Sequence, residues 1–188
     1  MKALVVYESM YGNTRHIAQA IAEGLQMSME AQAMPVGDVK AIDLDNAQLV
    51  VVGAPTHAWG LSRRRTREVA ASDMAKHSDQ RVSPVAVATG VREWMRGLNV
   101  RRSCRSAAFD TRLDRPRLFT GSAVRTIERG LVAAGFAVHS EPHSFRVAGT
   151  TGPLALGEIE RAMAWGEEMG RAMVRLNGVG SPKRAASR

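Results

Sequence analysis

The stretch Ser9-Met10-Tyr11-Gly12-Asn13-Thr14 gathers three hydroxyls, an amide and a glycine into one short turn. Side chains of these types do not make or break bonds unaided; they hold anions. The turn follows Lys2-Ala3-Leu4-Val5-Val6-Tyr7, a β-branched run of the kind that fills a buried parallel strand. It precedes Arg15 to Gln26, where Ile17, Ala18, Ile21, Ala22 and Leu25 recur at helical spacing. A strand that breaks into such a turn and then opens a helix aims free backbone N–H groups and the positive end of the helix dipole at one point, which suits a phosphate. Asn13 or Thr14 can equally cap the helix with no ligand present.

Two further stretches sit at strand ends. Pro55-Thr56-His57-Ala58-Trp59-Gly60 follows Leu49-Val50-Val51-Val52-Gly53-Ala54, the most continuous apolar run in the chain. Asp110-Thr111-Arg112 follows Ser106-Ala107-Ala108-Phe109. Other chemistries find little support. The single cysteine, Cys104, excludes an internal disulfide and a cysteine-built metal site; among Arg101, Arg102 and Arg105 it is either somewhat acidified or a surface bystander. Of the five histidines, only His139 and His143 are close in sequence, and they flank a Glu-Pro break without a cysteine partner. No Gly-x-Ser-x-Gly elbow is present.

The elements that must position these stretches alternate between strand and helix. Ser28 to Pro35 alternates weakly and reads as an outer strand, Asp38 to Asp45 as a helical turn or loop, and Leu49 to Ala54 as a central strand. Between Leu61 and Gly90 the pattern favours an inserted loop, with a possible helix over Arg67 to Ala75, a solvated Arg63-Arg64-Arg65, and a candidate edge strand Val82 to Ala88 around Pro84. Thr89 reads as the cap of a helix over Val91 to Val100, and Ser122 as the cap of a helix through Val124, Ile127, Leu131 and Val132 that Gly135 stops. Phe136 to Val147 is the last strand, interrupted near Pro142; Thr150-Thr151-Gly152-Pro153 is a turn. The helix Gly157 to Leu176 carries Ile159, Met163, Trp165, Met169, Ala172, Met173 and Leu176 as its expected buried stripe, and residues 177–188 read as a disordered basic tail.

Such alternation implies an α/β, doubly wound parallel sheet. Ligands in these sheets sit at the carboxyl ends of the strands, near the point where strand order reverses. Ser9 to Thr14, Pro55 to Gly60, and Asp110 to Gly121 would meet there.

At 188 residues, with 45% hydrophobic and 23% charged side chains, the chain has the size and composition of one globular domain over residues 1–176. No run approaches the ~20 apolar residues of a membrane span, and Met1-Lys2 leads directly into a strand, so the expected location is cytoplasmic. The net charge of +8 is unevenly spread: −3 over residues 1–60, +8 over 61–120 and +3 over 121–188. Basic patches of this kind bind nucleic acid, anionic cofactors, acidic proteins, or nothing in particular. Nucleic acid is disfavoured because the arginines are not interleaved with aromatics. The excess of Arg over Lys also has a simple source in genomic base composition.

Taken together, these residues resemble the flavodoxin family. Ser9 to Thr14 is similar to the loop that holds the FMN phosphate in flavodoxins, and Gly53 to Gly60 resembles the loop that packs against the isoalloxazine. Ala107 to Arg112 occupies the place of the third flavin-contacting segment. The resemblance implies a three-layer, five-stranded parallel sheet in the order 2-1-3-4-5, and FMN as cofactor. It assigns the phosphate to Ser9, Gly12, Asn13 and Thr14, with Met10 and Tyr11 supplying backbone. It assigns the ring to Pro55, Thr56, His57, Ala58, Trp59 and Gly60, with Trp59 stacking, and the opposite side of the ring to Asp110, Thr111 and Arg112. Trp59 has the alternative of a loop anchor, His57 that of an incidental loop residue, and Asp110 that of a partner for a nearby arginine. Flavodoxins that shuttle electrons are typically acidic, whereas here Arg63, Arg64, Arg65, Arg112, Arg115 and Arg117 surround the expected rim. Three functions follow as expectations: an electron carrier working with a redox partner protein, an NAD(P)H-dependent quinone or small-molecule reductase, or a flavin-free binding protein that uses its basic surface.

Overall fold

Strand β1 (Lys2–Tyr7) is buried from its second residue onward, as its unbroken apolar sequence requires. It lies between β2 (Glu30–Pro35) and β3 (Leu49–His57), parallel to both. The computed structural model describes residues 1–57, 60–77, 89–98, 104–116 and 121–179, the side chains of 73–77 and 179 excepted. A two-residue strand, β4 (Gly60–Leu61), folds back antiparallel on the end of β3. On the other side of β3 runs β5 (Arg105–Leu113), parallel to it. The outer edge of β5 is covered in tandem by β6 (Ala137–Val138) at its start and β7 (His143–Val147) at its end, both parallel. The sheet is thus ordered β2-β1-β3-β5-β6 with β7 beside β6 on the same edge. This is the expected five-position parallel sheet, its fifth position split at Ser140 to Pro142, where proline has no N–H for the ladder.

Side chains alternate across this sheet. Ala3, Val5, Leu49, Val51, Ala107, Phe109 and Phe145 face α1 (Asn13–Gln26) and the long last helix, Glu158–Val179. Leu4, Val6, Val50, Val52 and Ala108 face the opposite layer. That layer holds α2 (Ala41–Asn46), α3 (Arg64–His77), α4 (Val91–Arg96) and α5 (Val124–Ala133); the last helix is α6. Two glycines set the packing on the α1/α6 side. A Cβ on Gly53 would fall 2.0 Å from the Phe109 ring, and one on Gly24 would fall 2.0 Å from the Met163 carbonyl, so α1 and α6 touch backbone to backbone.

Strand register places the functional rim. Tyr7, Gly53, Phe109 and His143 stand side by side on four neighbouring strands. Beyond that line β1 ends, while β3 continues to His57 and β5 to Leu113. The two longer strands form a wall beside the turn that leads into α1.

Several elements differ from expectation. The stretch expected as an inserted loop contains the 14-residue helix α3, which takes in the possible helix over Arg67 to Ala75; among its described side chains the inward-facing ones are Arg67 and Ala70, which make almost no apolar period. The candidate strand Val82 to Ala88 lies outside the described residues. Helix α4 is shorter than expected, and Gly90, not Thr89, is its cap, with the Gly90 N–H donating to Glu93 Oε2 at 3.1 Å. The buried face of α6 is Ala162, Trp165, Met169 and Met173; Ile159, Met163 and Leu176 are exposed, because the small residues Gly166 and Gly170 rotate the contact line toward themselves. Helix α6 continues through residues expected in the basic tail as far as Val179, and 180–188 lie outside the described residues. Cys104 is neither acidified nor on the surface: it is 3% exposed, and burial pushes its thiol up to about 11. The stop at Gly135 is as expected, with φ +97° and the Phe136 N–H returning to the Leu131 carbonyl at 3.1 Å.

Candidate functional site

The turn after β1 reaches α1 through Gly12, whose φ of +87° is in the left-handed region that glycine occupies without penalty. Gly12 is the cap residue and has no side chain with which to bond the first turn, so neither Asn13 nor Thr14 plays that part. The N–H groups of the first turn have no acceptor within a helix, and here they face the rim at the positive end of a 14-residue helix. The neighbouring side chains brace the turn. Ser9 Oγ accepts the Arg15 N–H at 3.3 Å, and Asn13 Nδ2 donates to the Thr151 carbonyl at 3.1 Å. The buried Thr14 hydroxyl meets the Thr111 hydroxyl at 2.7 Å, joining α1 to the end of β5.

A cleft of about 250 Å³ opens at this rim. It is lined by Ser9, Met10, Tyr11, Asn13, Thr14, Pro55, Thr56, His57, Thr111 and Arg112, together with Leu113, Val147 and Thr150. The three separated stretches therefore converge on one cavity. Leu113 was expected here only as part of the loop from Asp110 to Gly121, and Val147 and Thr150 escaped the sequence reading. Thr150 had a usable signal, since its turn follows the carboxyl end of the last strand and so belongs to the same rim. Gly60 is held in the hairpin opposite His57 and does not line the cleft; Ala58 and Trp59 lie outside the described residues.

Asp110 does not line the cleft. It is fully buried, and its Oδ2 accepts from Thr56 Oγ1 at 3.0 Å, Ser122 Oγ at 2.8 Å and the Val124 N–H at 3.1 Å. Thr56 Oγ1 in turn accepts the Ala123 N–H at 3.0 Å. Helix α5 is thus capped by two residues from strand ends, not by Ser122, whose hydroxyl binds the carboxylate instead. A carboxylate at a helix N-terminus is favoured by the dipole, and among the described residues Asp110 has no arginine partner. The segment expected as a third loop from Asp110 is strand as far as Leu113.

Two nitrogen-bearing side chains set the charge of the cleft. Arg112 is 4% exposed and donates from one terminal nitrogen to the Arg115 carbonyl at 2.7 Å. His57 is held below its usual range by burial; nearby Glu8 opposes this and Arg67 adds to it, so the ring is neutral at pH 7. Among the described residues, its buried Nε2 has no hydrogen-bond partner.

Behind His57 lies a buried polar network that the sequence reading did not find. Glu8 is 3% exposed and accepts from the Ser62 hydroxyl and, at 2.9 Å, from the Val91 N–H. The fully buried Arg67 donates to Ser62 Oγ at 2.9 Å and pairs with Glu93 at 3.0 Å. Arg92 donates to the carbonyls of Leu61 and Ser62. Gly90 makes room, since a Cβ there would fall 2.3 Å from Arg67. The network ties the hairpin, α3 and α4 to the end of β1, where a carboxylate directly after an apolar strand was the available signal.

The donor set fits a phosphorylated aromatic group better than a metal. It combines the Asn13 and Thr14 N–H groups, which have no acceptor within the helix, with a buried arginine and a cleft partly walled by carbon, and among the described residues no group of three potential metal ligands occurs. A family model described as "Flavodoxin" matches residues 5–107, more than half of the 188. The chain belongs to the flavodoxin family. Flavodoxin FldP of Pseudomonas aeruginosa (strain UCBPP-PA14) is 48% identical over 59 residues, a match covering 30% of this chain and 32% of the relative, about a third of its length. Flavodoxin 2 from Bacillus cereus is 20% identical over 94% of this chain and 99% of its own, with a TM-score of 0.61. The flavodoxin of Streptococcus pneumoniae TIGR4 is 18% identical over 91% and 99%, also at 0.61. These two structures share the flavodoxin fold with this chain. The flavodoxin match includes the turn after β1 and the end of β3, and stops before Asp110.

Proposed function

We propose that this flavodoxin-family redox protein binds FMN at the strand-end rim and carries electrons through it. The observation that supports this reading is the convergence of the α1 turn, the end of β3 and the end of β5 on one cleft. The N–H groups around Gly12 to Thr14, with the Ser9 hydroxyl, would hold the phosphate. Pro55, Thr56, His57 and Thr111 would border the ring. Arg112 keeps a positive charge fixed close by, which lowers the cost of adding electrons there. Bound FMN supplies the electron chemistry; the protein supplies position, dryness and charge. A cytoplasmic location belongs to the same proposal.

The test is direct. Freshly purified protein should show flavin absorbance bands, or should quench FMN fluorescence saturably on titration. A colourless protein without quenching overturns the reading and favours the flavin-free alternative.

A second reading, an NAD(P)H-dependent reductase, is favoured by the exposed arginines that open α3, of which Arg64 has 74% of its side chain exposed. Anaerobic addition of NADPH to the FMN-loaded protein decides between them. Direct bleaching supports the reductase, and bleaching only with an added reductase supports the carrier.

A further inference from the structure

A second cavity, of about 310 Å³, adjoins the cleft and shares Tyr11, His57 and Thr150 with it. Its far wall is the first two turns of α3, through Arg65, Thr66, Val69 and Ala70. The function proposed above leaves this annex unused.

The chemistry of its walls selects a ligand class. Val69 is 56% exposed although it is a branched apolar residue, and it presents a carbon surface next to the nearly buried Ala70, 4% exposed. Burying that surface favours a ligand with a flat apolar body. Among the described residues that line the annex, Arg65 is the one formally charged side chain at neutral pH, His57 being neutral there. Among the described residues, Arg65 has no ion-pair partner, whereas Arg64 is paired with Glu68 and Arg67 with Glu93. Arg65 also sits in the first turn of a 14-residue helix that has no acidic residue in that turn, so the dipole and the side chain act on the same side of the balance: both attract anions and repel cations. Size is compatible with a small ligand. At about 310 Å³ the annex is comparable with the adjoining cleft of about 250 Å³ and reaches the low end of the ~300–1,000 Å³ of small-molecule sites, room enough for a compound of one or two rings.

We propose that the annex binds a small aromatic anion, a one- or two-ring carboxylate or sulfonate, with its acidic group on Arg65 and its ring against Val69 and Ala70. This deepens the flavin reading and rests on it for the ligand's role as a redox partner of the neighbouring cleft. The binding itself depends only on the protein's own walls.

The experiment is a calorimetric titration of 2-naphthalenesulfonate into the full-length protein, with and without saturating FMN, beside an FMN fluorescence titration. Saturable binding is expected in both conditions. It should weaken about tenfold or more in Arg65→Glu and, separately, in Val69→Asp, and the uncharged analogue 2-naphthol should bind more weakly than the sulfonate. FMN affinity should be the same in Arg65→Glu as in the unaltered protein. Unchanged sulfonate affinity in both variants, or equal binding of 2-naphthol, overturns the proposal. Competition between the sulfonate and FMN also overturns it, because the annex would then be part of the flavin site. Sulfonate binding in a protein that fails to bind FMN leaves the annex standing and removes the flavin reading alone.

Discussion

The hydroxyls of Thr14 and Thr111 meet 2.7 Å apart inside the protein, one on the first turn of α1 and the other at the end of β5. They are 97 positions apart in sequence, and their bond makes the phosphate-type turn and the far wall of the cleft a single unit. Thr14→Val leaves a buried hydroxyl without its partner, a loss of about 1–3 kcal/mol. Thr14→Val with Thr111→Val removes both groups and should cost less than the sum of the two single changes. Urea unfolding of the four proteins measures the coupling, and strict additivity would show that the bond contributes nothing.

Gly12 is required for its backbone, not for space. A Cβ there would come no closer than 3.8 Å to another residue, yet φ is +87°. Gly12→Ala should therefore destabilise by about 1–2 kcal/mol, and Gly12→Asn by less, since asparagine visits this region more readily. Thermal unfolding gives the ranking. If the two variants are equally stable, crowding and not conformation governs the site.

For Gly24, two effects of opposite sign compete. Alanine gains about 1 kcal/mol in helix propensity over glycine, but its Cβ would meet the Met163 carbonyl at 2.0 Å, a backbone atom that cannot swing aside. The clash should win, so Gly24→Ala lowers the urea midpoint. Gly178→Ala in α6, with nothing within 4 Å, should leave it unchanged or raise it.

Arg67 and Arg64 occupy the same helix, and the consequences of removing them should differ widely. Arg67 is fully buried against Ser62 and Glu93, so Arg67→Met strands polar partners and should cost about 3–5 kcal/mol. The Arg64–Glu68 pair is exposed at 74% and 51%, and Glu68→Ala should cost only about 0.3–0.5 kcal/mol. Comparable losses in the two variants, measured by urea unfolding, would contradict the buried network.

Cys104 makes a pH-dependent contribution of known sign. Its thiol rises from 9.0 to about 11 on folding, so the unfolded chain releases that proton at lower pH than the folded one. Stability from this group is intact below pH 9.0 and declines as pH rises toward about 11. The Cys104→Ala protein should lose less stability over that interval than the unaltered one. In the native protein the thiol should also resist a thiol reagent at neutral pH and react fully once unfolded.

The apolar runs of β1, β3 and β5, the helical period of α1, and the glycine stop after α5 were legible because each is a local pattern whose period matches its own element. Their alternation was sufficient for the parallel sheet, whose strand order followed only from the resemblance to flavodoxins, and the rule that ligands sit at strand carboxyl ends brought the three stretches to one rim. Tertiary structure alone decided which of those residues face the cleft. Asp110 and Thr111 are adjacent in sequence, yet strand alternation sends Asp110 to the N-terminus of α5 and Thr111 to Thr14 and the cleft wall. The inward face of α3 was illegible for a similar reason: its central buried residue is an arginine, matched by Glu93 from another helix and Ser62 from a connecting segment, and no local period encodes a partner that distant in the chain. Sequence periodicity reports what one element buries, whereas the pairing of buried polar groups is settled only when separate elements meet.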